Sequence, residues 1–333
     1  MNRYAPVKTM NTKISIRTAV LMAILVLSIS CPLLAQTTPV QRLTEAMMLE
    51  KAGKPALAIA EVRGVLDSQP LDSLSTGEAW HIQGLAYADQ GEFTLSQHAY
   101  EESLRILESL PDNVQDHATV LVDFGVLYLS TGQFDTADER MIEALGLYEK
   151  IDDHAGIVRA SSALATIAFR QKKVREGYKF LKRAEKESRA ANGLDDDDRA
   201  TIASLQGWLA QSYGDYTVST ARYRQALDLW RKLHGEDHPY TGWGHLLLGE
   251  ADAAAGQLPD AQVEMKRSIA IFDRSLGRQN PRYLSAEMAY ARVLDMAGDQ
   301  SEAAQIRAAT EPLVREWYRG QCVGCSFNPE VFH

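Results

Sequence analysis

Three clusters of residues have the types and spacing that chemistry could use. Asp195, Asp196, Asp197 and Asp198 form an unbroken run of carboxylates, the oxygen-rich kind of segment that holds calcium. A calcium loop also needs a central glycine and a terminal glutamate at fixed positions, and both are missing. The run therefore reads as a solvated turn, with Asp198 near a helix N-terminus where negative charge is favourable. His234 and His238 are four apart, a spacing that on a helix could hold a transition metal. Gly235 and Pro239 make the segment a turn, and no third ligand is evident. Cys322 and Cys325 stand close together after the helical pattern stops at Arg319. In an exported protein such a pair reads first as a small disulfide loop. The alternatives are a redox or intermolecular pairing, and a zinc site for which only His333 is near. There is no phosphate-cradling glycine loop and no nucleophile elbow. The expectation is a chain with no catalytic residues, no cofactor and no metal.

The elements that carry these residues repeat. The segments around Gly91–Phe93, Gly132–Phe134 and Gly214–Tyr216 share a glycine two residues before an aromatic. In register with them lie Gly53, Gly91, Gly132, Lys172, Gly214, Gly256 and Gly298, spaced 38, 41, 40, 42, 42 and 42 residues apart. Seven residues before each is a small residue: Ala46, Gly84, Gly125, Ala165, Gly207, Gly249 and Ala291. Five residues after each is another: Ala58, Ser96, Ala137, Gly177, Ser219, Ala261 and Ala303. Four further on stand Val62, Tyr100, Met141, Leu181, Tyr223, Met265 and Arg307, large and apolar or aromatic except the last. Apolar residues recur at steps of three and four, as in Met141, Ile142, Leu145 and Tyr148. This is the pattern of an antiparallel helix pair. Small residues let two backbones approach, a left-handed glycine ends the first helix, and large residues fill the space between neighbouring pairs. One pair cannot bury its apolar face alone, whereas a stack can.

Trp80, Gly84, Tyr87, Gly91, Phe93, Ser96 and Tyr100 sit at the signature positions of the tetratricopeptide repeat, which this chain resembles over roughly Val40 to Thr310. The period near 42, and the linkers ending in Pro239 and Pro281, are similar to the kinesin-light-chain subtype. The resemblance implies an all-α, right-handed α-solenoid of about seven helix-turn-helix repeats. The expected organisation is a signal peptide over 1–35, a solenoid over 36–316, and a tail over 317–333 that carries the cysteine pair. The repeats fall near 39–72, 77–110, 118–151, 158–190, 200–233, 242–275 and 284–316. Lys172 departs from the turn glycine, and Pro55 and Gln300 replace the aromatic in the first and last repeats, where capping repeats are often atypical.

In that family the first helix of each repeat lines the concave face. The positions it leaves free of packing are His81, Arg159, Thr166, Phe169, Arg170, Trp208, Gln211, Trp243, Glu250 and Arg292. Arginine and aromatic residues are common at binding hot spots. Arg159, Phe169, Arg170, Trp208, Gln211, Trp243 and Arg292 are accordingly the candidate groove for a protein or peptide segment, possibly of acidic character. The bland alternative is that the tryptophans complete inter-repeat packing. The lysines and asparagines of the family's chaperone-tail clamp are not reproduced: Leu43, Met47, Leu85, Val122 and Val126 stand in the corresponding places. With six asparagines in the chain, the asparagine-rich groove of kinesin light chains is not reproduced either.

Residues 1–17 are basic, and the apolar stretch Ala19 to Ile29 precedes a small residue, Ala35. That is the layout of a secretory signal cleaved after Ala35. The apolar run is short of the roughly 20 residues that span a bilayer. Cys31 is a candidate lipid anchor, although Ser28 stands where a lipobox places leucine. The formal charge is −9, and losing Arg3, Lys8, Lys13 and Arg17 with the leader makes it −13. Such a chain is a poor match for nucleic acid, which needs a basic face. The expected function is a non-enzymatic interaction scaffold in the periplasm or outside the cell. The alternative is a redox- or metal-linked accessory protein acting through the C-terminal cysteines.

Overall fold

Each of the seven turn positions adopts the left-handed backbone conformation, with φ between 61° at Lys172 and 90° at Gly298. In this computed structural model, residues 38–68, 70–191 and 194–321 are described. The expected leader, Cys31 and the Cys322–Cys325 pair lie outside the described residues.

Each left-handed residue closes one helix and permits the next to start within about four residues. The result is fourteen helices, and no strand, among the described residues. The pairs are α1 (Pro39–Lys51) with α2 (Pro55–Ser68), α3 (Ser73–Gln90) with α4 (Phe93–Leu107), and α5 (Val114–Ser130) with α6 (Phe134–Lys150). They continue as α7 (His154–Arg170) with α8 (Val174–Ala190), and α9 (Asp196–Ser212) with α10 (Tyr216–His234). The last are α11 (Pro239–Ala254) with α12 (Leu258–Ser275), and α13 (Pro281–Ala297) with α14 (Gln300–Gln321). Capping side chains set several starts. Asp72 accepts from the Ser75 N–H at 2.7 Å, and Asp195 from the Asp198 N–H at 2.8 Å.

The small and large columns meet inside each pair. A Cβ on Gly84 would fall 2.6 Å from the Tyr100 ring, and one on Gly125 2.7 Å from Met141. Gly207 faces Tyr223 and Gly249 faces Met265 in the same way, at 3.0 and 3.1 Å. The large residue thus seats first on the small residue of its own pair, which corrects the expectation that it only fills the space between pairs. It then reaches the next pair, as Tyr100 does by stacking on Phe124 with centroids 5.4 Å apart. Ser96, in the second small column, donates to the Gly84 carbonyl at 2.7 Å. Ile142 is 54% exposed, whereas its neighbours Met141, Leu145 and Tyr148 are buried. Arg307 breaks the large column in the last repeat and pairs instead with Asp295. No further repeat follows to bury an apolar group there.

α14 continues to Gln321 and brings Trp317 against the second repeat, where its Nε1 donates to the Gly91 carbonyl at 3.1 Å. Among the described residues, no helix is long and apolar enough to cross a membrane.

Candidate functional site

The first helices of four consecutive repeats, α7, α9, α11 and α13, wall a cavity of about 770 Å³. That volume lies within the range of roughly 300–1,000 Å³ typical of ligand sites. Six of the seven candidate residues line it: Phe169 and Arg170 from α7, Trp208 and Gln211 from α9, Trp243 from α11, and Arg292 from α13. Thr166 and Glu250 join them. They come together because each sits in the last two or three turns of its helix, on the side the packing columns leave free.

Arg159 is not among the lining residues. It lies eleven residues before Arg170 on the same helix, about 16 Å away at 1.5 Å per residue. There it faces the carboxyl of Asp198 and the hydroxyl of Tyr148, and its buried Nε has no hydrogen-bond partner.

The aromatic residues serve both packing and cavity. Phe169 is buried and stacks on Trp208, with ring centroids 4.3 Å apart and planes 15° from parallel. Trp208 and Trp243 are half-buried and turn a face into the open volume. Three wall residues escaped the sequence reading: Trp230, Tyr240 and Met296. Trp230 belongs to a second helix, Tyr240 follows the linker proline, and Met296 lies one turn beyond Arg292. The aromatic Trp230 at the end of α10 was the one visible signal.

The polar groups centre on Glu250. Arg292 Nη2 donates to Glu250 Oε1 at 3.3 Å, and Arg170 lies close enough to favour the same carboxylate. Burial nonetheless holds the Glu250 carboxyl above the usual range, because removal from water outweighs the two cations. Two guanidiniums and one carboxylate leave the cavity with an excess of positive charge. Arg292 Nη1 is buried without a partner.

The other clusters resolve into structural contacts. Asp195 caps α9, Asp196 pairs with Lys232 and Arg199, and Asp197 pairs with His234. The His234 and His238 rings stack 4.2 Å apart. Among the described residues, no group of three or more His, Cys, Asp or Glu side chains is placed to hold a metal ion.

Residues 75–150 and 209–272 match the family model of the tetratricopeptide repeat. With the seven left-handed turns and the paired columns, that match decides the family. This is a tetratricopeptide repeat protein. No curated protein matches its sequence. Among solved structures, it resembles NprR in complex with its cognate peptide NprX, at 11% identity and a TM-score of 0.61, over 95% of this chain and 90% of that one. It also resembles a Rap protein complexed with competence and sporulation factor, at 14% identity and a TM-score of 0.57, over 84% and 77%. BtubC from P. vanneervenii is similar at 21% identity and a TM-score of 0.50, over 71% and 94%. At these identities the likeness is one of fold.

Proposed function

We propose that this tetratricopeptide repeat protein is a non-enzymatic scaffold that works outside the cytoplasm and binds a peptide or protein segment in the cavity of repeats four to seven. The observation that carries the reading is the gathering of Trp208, Trp243, Arg170, Arg292 and Glu250 around one 770 Å³ volume. Aromatic faces with few rotatable bonds suit an apolar side chain, and the surplus guanidinium suits a carboxylate beside it. The ligand that fits is an extended segment presenting an apolar residue next to an acidic one. Two structures of similar fold, NprR with NprX and Rap with its competence and sporulation factor, carry a bound partner of their own. The location rests on the basic, apolar and small-residue order of residues 1–35.

The test is affinity capture of the full chain from its own host, read by mass spectrometry. A variant with Arg170→Glu and Arg292→Glu runs beside it, because these changes leave the aromatic stack in place. A partner held by the wild type and lost by the variant, at equal helicity, supports the cavity as the site. A partner held equally by both overturns it.

A further inference from the structure

The contacts between the two ends of the solenoid repeat with the period of the chain. His238 accepts the Tyr240 N–H at Nδ1, 3.1 Å away, and so caps α11. Its other nitrogen, Nε2, then carries the proton and donates to the Lys51 carbonyl at 3.1 Å. One repeat later, Asn280 caps α13 by accepting the Arg282 N–H at 2.9 Å, while its Nδ2 donates to the Asp89 carbonyl at 2.7 Å. The proline after each cap covers a turn glycine. A Cβ on Gly53 would lie 3.1 Å from Pro239 Cδ, and one on Gly91 2.7 Å from Pro281 Cδ. The first repeat therefore meets the sixth, and the second meets the seventh, through one shared device. Arg282 adds an ion pair to Asp89 at 3.0 Å. Trp317 adds its bond to Gly91 and an edge-on contact with Phe93 at 4.9 Å.

This seam crowds carboxylates. Glu50 of α1 faces Asp89 of α3 and Asp123 of α5. Arg282 of α13 and Lys51 of its own helix are the cations beside it. His81 of α3 is bonded to Asp123 at 2.7 Å, and Tyr240 of α11 stands close to Glu50, Asp89 and Arg282. Tyr240 also lines the cavity, which joins the seam to the site.

We propose that the seam is a clasp that holds the solenoid as a closed turn and releases as pH rises, because opening separates carboxylates that closure brings together.

Burial, then Asp89 and Asp123, push the Glu50 carboxyl from 4.5 up to about 8. The closed form thus binds the Glu50 proton more tightly than the open form. Closure is favoured in acid on this account, and the advantage is lost as pH climbs towards 8. His238 acts in the opposite sense. Burial and His234 hold it down at about 4 from 6.5, so its contribution to closure is present above 6.5 and fades below. Between about 6.5 and 8, Glu50 acts alone.

Small-angle X-ray scattering of the full chain at pH 6.5 and pH 9 tests the clasp, with helicity followed by circular dichroism. The wild type should show a larger radius of gyration and maximum dimension at pH 9 at unchanged helicity. Glu50→Gln, which stays neutral, should remain compact at both pH values. Asn280→Ala with Arg282→Ala should be expanded already at pH 6.5. Should that pair lose helix, Trp317→Ala weakens the seam without touching a cap and should expand likewise. Equal dimensions for the wild type at the two pH values would overturn the proposal, and so would a Glu50→Gln protein that expands as the wild type does.

Discussion

The ring of Tyr100 rests on the backbone of Gly84, so close that a Cβ there would lie 2.6 Å from Cε1 and 2.7 Å from Cδ1. The ring has nowhere to go, because Tyr100 is 1% exposed and stacked on Phe124. Gly146 on α6 is the matched opposite, since a Cβ there meets nothing within 4 Å. Alanine at either site gains roughly 0.8–1.0 kcal/mol of helix propensity. Overpacking at Gly84 costs about 1–3 kcal/mol and outweighs the gain. Gly84→Ala should therefore destabilise while Gly146→Ala stabilises by about 1 kcal/mol. Urea denaturation of the two variants checks this, and a shared sign would refute the packing account.

Lys172 occupies the turn position of the fourth repeat at φ 61°. A side chain in this conformation costs about 1–2 kcal/mol. Glycine removes that strain but loses roughly 0.5–1 kcal/mol through the freedom of the unfolded chain. Relief wins narrowly, so Lys172→Gly should raise stability by about 0.5–1 kcal/mol. The expected readout is a rise of about 1–4 °C in the unfolding midpoint. An unchanged or lower midpoint would mean that the lysine side chain makes a compensating contact.

The helix pairs were legible because each packing constraint is stated seven times. A small residue at one offset from the turn and a large one at another leave few arrangements open. The cavity was legible in part. Trp208, Trp243 and Arg292 share the free face of successive first helices, so their convergence follows from stacking. Trp230 and Tyr240 do not share that register, and Arg159 does but stands too far along α7 to reach the cavity. The seam was not legible. His238 and Lys51 are 187 residues apart, and Asn280 and Asp89 are 191 apart. Whether such positions meet depends on the small rotation from each repeat to the next, summed over five repeats, and no single motif states that sum.

Trp208 belongs to the core and to the cavity, and substitution can separate the two roles. Its stack on Phe169 is worth about 0.5–1.5 kcal/mol beyond burial. Losing the whole ring from a half-buried site should cost about 2–3 kcal/mol, below or at the low end of fully buried tryptophans. Trp208→Phe keeps a ring over Phe169 and should retain most of that stability. Chemical denaturation of Trp208→Ala and Trp208→Phe distinguishes the cases. Equal losses in both would show that the indole, and not the stacked face, supports the fold.

Asp198 sits buried in the first turn of α9, and the loss of water, reinforced by Asp195 and opposed by Arg159, pushes its carboxyl from 3.8 up to about 7. The folded chain therefore binds a proton at Asp198 that the unfolded chain releases near pH 4. Below that pH the group costs nothing. Between about 4 and 7 the cost grows, and above 7 it is constant, because both states are then ionised. At about 1.36 kcal/mol per unit, the penalty above pH 7 is on the order of a few kcal/mol. Asp198→Asn removes the charge and keeps the backbone N–H that donates to Asp195. The variant should match the wild type at pH 4 and exceed its stability at pH 8, with the gap opening across that interval. Urea denaturation of both proteins from pH 4 to pH 8 measures the gap directly. A variant less stable than the wild type at pH 8 would mean that attraction between Asp198 and Arg159 outweighs the cost of burying the carboxylate.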